Sequence, residues 1–302
     1  MDTGAYVIES SPPGRLQVGV GTPRWLRPAW VRLLILLPVF FLLDGVMQTA
    51  FGVVTRSWPA SLLAGLVAGC VAVVIYRWAI KIIERRPAAE LAAADLAGVG
   101  AGFATGAGLL SVVVLVLFLA GRVTITAGGS VPGAVSLFGI MAGVAVVEEI
   151  IFRGVLFRLV EDLAGTWVAL AVSAVVFGGL HLANPHATML GAAAIAIEAG
   201  MMLGAAYASS RRLWLPIGIH FGWNFAESGV FSAIVSGNDQ FRPGLWRTAV
   251  SGPELITGGS FGPEASVISV VVCLIAAVFL LRTARRRGRI FGRAGRAVVR
   301  AE

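Results

Sequence analysis

Eight apolar stretches fill most of this chain and leave a membrane bundle as the architecture that suits it. They run over 31–54, 58–80, 96–120, 132–158, 164–183, 188–208, 213–232 and 265–282. A hydrocarbon core of about 30 Å needs about 20 helical residues to cross it, so each stretch predicts one transmembrane helix. Strands of a membrane barrel would alternate apolar and polar residues, and these runs do not. Of the 302 residues 57% are hydrophobic and only 13% charged, about half the charge of a water-soluble domain. The expected fold class is all-α, a polytopic bundle of about eight transmembrane helices with a polar intramembrane chamber. Glycine spacings at Gly65/Gly69, Gly98/Gly102/Gly106 and Gly200/Gly204 would let neighbouring helices approach closely.

The formal net charge is +8, and the basic residues sort by loop. With eight spans, nineteen of the 24 fall on the side that carries both termini, among them Arg32, Arg86, Arg158, Arg211 and the arginines from Arg282 onward. Arg56, Arg122, Arg242 and Arg247 fall opposite. That bias predicts a multi-pass membrane protein with both termini in the cytoplasm and the 233–264 loop outside. The expected organisation is a polar tail over 1–28, a transmembrane helical domain over 29–283, and a basic tail over 284–302 suited to anionic lipid headgroups. Exposed aromatics interleaved with basic residues are missing, so nucleic acid is not an expected partner. Cys70 and Cys273 lie inside apolar runs and suggest neither a disulfide framework nor a zinc finger. The first residues read as a polar, Pro/Gly-punctuated tail, without a cleavable signal pattern.

Against this background, ionisable groups inside the spans carry the functional information, because each costs about 2.5–3.5 kcal/mol to insert. The fourth span holds EEIIFR at 148–153. On a helix Glu149 and Arg153 are i,i+4 partners in the favourable order, whereas Glu148 points about 100° away. One glutamate can be neutralised in a structural pair while the other stays available. FGGLH at 177–181 sets the ring of Phe177 on the same helix face as His181. HFGWN at 220–224 likewise projects His220 and Asn224 together. His186, after Asn184-Pro185, reads as a loop residue. Asp44 and Glu198 are further intramembrane acids without a sequence partner that specifies chemistry.

Burying Glu148, His181, His220 and Asn224 on separate spans is costly unless they converge, which predicts one water-accessible chamber. There is a conflict in that expectation. Counted at 1.5 Å per residue, straight spans set Glu148, His181 and His220 about 18, 25 and 10 Å from the cytoplasmic end.

The three motifs resemble those of the CPBP family, which groups type II CAAX prenyl endopeptidases with bacterial Abi-type bacteriocin-processing and immunity proteins. The patterns are EExxxR, FxxxH and Hxxx(N/D), and the resemblance covers about residues 130–232. It implies an intramembrane endopeptidase acting on a membrane-associated protein or peptide, with CAAX-type processing as one option. Glu148 and His181 would activate water, and His220 and Asn224 would stabilise the oxyanion, with Glu149, Arg153 and Phe177 in support. The cofactor stays open: zinc held by Glu148, His181 and His220 with water in the fourth position, or the favoured metal-independent glutamate mechanism. Two other readings compete. One is a non-catalytic immunity or partner-binding protein; the other is a transporter with a proton relay, against which the two halves lack internal similarity.

Overall fold

A computed structural model describes residues 18–54, 57–238 and 242–292. The distal parts of both expected tails, Arg56 and residues 239–241 of the 233–264 loop lie outside these residues. The chain folds as an all-α bundle whose main elements are α1 (Ala29–Val54), α2 (Trp58–Ile83), α3 (Ala97–Leu119) and α4 (Val131–Glu149). Helix α4 continues through a π-helical segment, Ile150–Phe157, into α5 (Arg158–Ala164). Then follow α6 (Thr166–Leu180), α7 (Met189–Ile195), a second π segment (Ala196–Met201) and α8 (Met202–Ser210). Helix α9 (Trp214–Asn224) also ends in a π segment, Phe225–Val230, and a short α10 (Glu254–Thr257) precedes α11 (Val267–Arg286).

Seven helices among the described residues are long and apolar enough to span a bilayer, so the chain is an integral, multi-pass membrane protein. The predicted stretch at 213–232 is the departure. Its helix, α9, is short, and no residue from Trp214 to Val230 is exposed. It is an internal helix wrapped by protein rather than a lipid-facing span. Pro216 sits in its first turn, where the missing N–H costs no intrahelical bond.

Close packing of small residues holds α9 in place. A methyl group at Gly106 of α3 would collide with the carbonyl of Ile219, and one at Gly222 of α9 with the carbonyl of Phe103. The two helices therefore touch backbone to backbone. Helices α2 and α4 make the same kind of contact where Gly65 meets Gly139. Such seams suit a bundle whose lipid surroundings offer no hydrophobic drive for helix association.

Both ends of the bundle's path lie on one face. Arg32, in the first turn of α1, bonds Glu84 beyond α2 at 2.9 Å, and Arg287, just past α11, reaches the Ser209 carbonyl at 3.3 Å. Arg211, beside Ser209, joins the same face through Glu161 at 2.5 Å. Internal α9 thus acts as an eighth passage through the bundle. At the opposite face the all-α expectation needs one addition. Val123–Thr126 (β1) and Arg247–Val250 (β2) form an antiparallel two-stranded ribbon, with Val123 opposite Val250 and Thr126 opposite Arg247. The β-branched run VTIT favours that state.

Candidate active site

The fourth passage delivers the first motif. Arg153 donates to Glu149 Oε1 at 2.6 Å and to the carbonyls of Ala199 and Gly200 at 2.8 and 3.2 Å. This guanidinium is fully buried, so the pair locks α4 against the π segment after α7. Glu149 Oε1 also accepts from His220 Nδ1 at 2.9 Å. A carboxylate can only accept, so Nδ1 of His220 carries the proton and Nε2 is left to face Glu148, whose Oε2 is 3.8 Å away. The expectation of a purely structural Glu149 is therefore incomplete: this carboxylate also orients a histidine.

His181 is fixed in the same manner. Its Nδ1 lies 2.7 Å from the carbonyl of Phe177, one turn back. A carbonyl accepts, so this nitrogen is again the donor, and Nε2 is free to accept a proton. The Phe177 ring stands 4.8 Å from the His181 ring and 6.1 Å from that of His220. On its other side the Arg153 guanidinium is 5.1 Å from the ring centroid. One aromatic side chain thus walls both imidazoles and covers the buried ion pair.

Glu148, His181, His220 and Asn224 all line one cavity of about 460 Å³. Their meeting there removes the depth conflict of straight spans, and two features of the fold contribute. The π segment after Glu149 advances less per residue than an α-helix, which brings Glu148 towards His220. Helix α9 is internal and is not tied to bilayer thickness. His186 lies in the turn after α6, as expected, with its N–H on the Gly237 carbonyl at 2.9 Å.

The cavity wall also contains Asp44 and Glu198, the two acids without assigned chemistry, and Glu264, which sequence reasoning did not single out. Glu264 sits in a 3-10 turn, Pro263–Ala265, just before α11. Read as sequence, an acid beside a proline at the head of an apolar run is an ordinary helix-start signal. Glu227, buried on the π segment after Asn224, was equally hidden.

Among the described residues, no group of three or more His, Cys, Asp or Glu side chains is arranged to hold a metal ion. Glu148, His181 and His220 thus do not form a ready-made ligand trio, and no step below runs through a metal.

The region that carries these groups is similar to a known family. Residues 130–226 match the family described as type II CAAX prenyl endopeptidase Rce1-like. No curated protein and no solved structure matches the chain. The Rce1-like region begins at the head of α4, ends just after Asn224, and includes all three motifs. It contains the paired Glu149 and Arg153 and both oriented histidines, whereas α1 to α3, the ribbon and α11 lie outside it.

Proposed function

We infer that the chain is an intramembrane endopeptidase that hydrolyses a peptide bond of a membrane-associated protein or peptide. The observation that carries this reading is the shared cavity of Glu148, His181, His220 and Asn224 within the Rce1-like region. Glu148 takes a proton from a water molecule that His181 Nε2 holds, and the water oxygen attacks the peptide carbonyl carbon. His220 and Asn224 donate to the oxygen that becomes the oxyanion, so His220 is protonated at Nε2 in this step. The carbon–nitrogen bond then breaks, and the proton held by Glu148 passes to the leaving amine.

Glu149 supports this chemistry from behind. It anchors Nδ1 of His220 while Arg153 neutralises its charge, so the donor of the oxyanion site arrives already oriented. In this reading residues 29–283 form the membrane domain, and the tails at 1–28 and 284–302 lie in the cytoplasm, on the strength of the arginine bias. CAAX-type processing is one substrate class open to such an enzyme. The test is comparative proteomics of cells carrying wild type or Glu148→Ala. One membrane-associated peptide should remain uncut in the variant, and identical cleavage patterns would overturn the reading.

A further inference from the structure

In and behind one wall of the chamber lie acids that the hydrolytic steps do not use. Glu198 comes from the π segment after α7, Glu227 from the one after α9, and Glu264 from the turn before α11. All three are buried, at 2%, 0% and 2% exposure. They lie within electrostatic reach of one another, with the Glu227 carboxyl against that of Glu264. Among the described residues, no arginine or lysine is paired with any of them. Glu198 Oε2 and Glu264 Oε1 have no hydrogen-bond partner, while Glu227 stands carboxyl to carboxyl with Glu264. Glu198 and Glu264 nevertheless line the cavity that holds Glu148 and His220, and Glu264 lies within electrostatic reach of His220.

Three adjacent buried carboxyls are costly to keep ionised without a cation. Elsewhere among the described residues the buried acids Glu84, Glu90, Glu149 and Glu161 each have a guanidinium. A positively charged group that enters the cavity would supply the partner these carboxyls lack. The donor set is not arranged for a metal ion, whereas an ammonium or guanidinium can satisfy separated carboxylate oxygens by charge-assisted hydrogen bonds.

We propose that Glu198, Glu227 and Glu264 form a substrate subsite that receives a lysine or arginine side chain beside the bond to be cut. This rests on the peptidase reading for the word substrate, but the cationic preference is measurable without turnover. The probe is octylguanidinium, with octylurea as its neutral counterpart, added to the full chain in detergent while thermal unfolding is followed. A ligand that binds only the folded protein raises Tm by mass action. Octylguanidinium should raise Tm and octylurea should not. In Glu198→Gln and Glu264→Gln the Kd for octylguanidinium should weaken about tenfold, as expected for one lost charge-assisted bond, while Glu148→Gln keeps the wild-type Kd.

Equal protection by the two probes, or unchanged affinity in both acidic-wall variants, would overturn the subsite. So would protection of wild type by Na⁺, K⁺ or Ca²⁺ that Glu198→Gln abolishes, because the cation would then be a metal ion. In a second arm, peptide pairs carrying lysine or norleucine near the cut are compared. Glu198→Gln should raise KM for the lysine peptide and leave the norleucine peptide unchanged. Peptides that wild type leaves uncut would refute the peptidase reading alone, leaving the binding result intact.

Discussion

Two regions of this bundle bury carboxylates, and they treat them in opposite ways. At the face where both ends of the helical path meet, Glu84 accepts from Arg32, Arg86 and Arg158 at 2.9, 2.7 and 2.8 Å. Nearby, Glu90 accepts from Arg86 at 2.8 Å and from the Tyr76 hydroxyl at 2.5 Å. Glu161 takes Arg211 and Thr166 at 2.5 and 2.6 Å. In the chamber, by contrast, Glu198 and Glu264 each have a carboxyl oxygen with no partner. A buried charge is tolerated when fully paired, so the first region reads as a clamp between helices. The second leaves its charge for something that enters. Glu149 stands between the two styles: it is paired like the clamp, yet orients a chamber histidine.

The largest expected effect falls on Glu148. Glu148→Gln should lower turnover by about 10²–10⁴-fold, the usual worth of a general base, with unchanged folded yield in detergent. Wild-type turnover in that variant would remove Glu148 from the chemistry and the contrast with it.

Breaking a paired site should instead cost folding. Arg153→Ala leaves Glu149 with only His220, and Arg158→Ala takes one guanidinium from Glu84. Each should lose about 3–5 kcal/mol of stability, visible as lower Tm and lower folded yield. If either variant unfolds at the wild-type temperature, the clamp is not one.

Acid should find the clamp next. Burial alone would raise the Glu84 carboxyl, but Arg158, Arg86 and Arg32 outweigh it and hold it at about 2, against an ordinary 4.5. Its contribution is complete above the ordinary value and is lost as pH falls from there through about 2. The loss is on the order of 3 kcal/mol. Tryptophan fluorescence in detergent should place acid unfolding of Glu84→Gln at a higher pH than that of wild type. Coincident curves would contradict the assignment.

The smallest effect is expected at the unpaired wall. Glu198→Gln breaks no ion pair, so its Tm should be unchanged or raised, within about 1 kcal/mol. A loss as large as that of Arg158→Ala would make Glu198 a hidden clamp residue and erase the difference between the regions.

Much of this arrangement was legible in advance for a simple reason. Long apolar runs and i,i+4 spacing are local, so seven spans, the Glu149–Arg153 pair and the Phe177–His181 contact follow from short windows of sequence. Helix α9 misled because hydropathy cannot tell lipid from protein as the surrounding medium. The arginine count treated Arg32, Arg86, Arg158 and Arg211 as loop charges, whereas all four are buried in ion pairs. Their partners lie 50 or more residues away in three of the cases, beyond any periodic signal. The ribbon joining Val123 to Val250 and the convergence of Glu198, Glu227 and Glu264 are non-local in the same sense. The π segments, which correct the depth of Glu148, left no pattern that was read.

The burial of α9 has a consequence for biogenesis. This helix carries His220 and Asn224 but offers no exposed side chain to lipid, so the bilayer cannot hold it by itself. It is seated by α3 and α4, both of which precede it in the chain. During synthesis Glu148 and His181 therefore reach the membrane well before the other half of the cavity exists. A nascent or truncated chain that lacks α9 carries Glu148 and His181 without His220 and Asn224 opposite them, so the four groups meet only once α9 is seated.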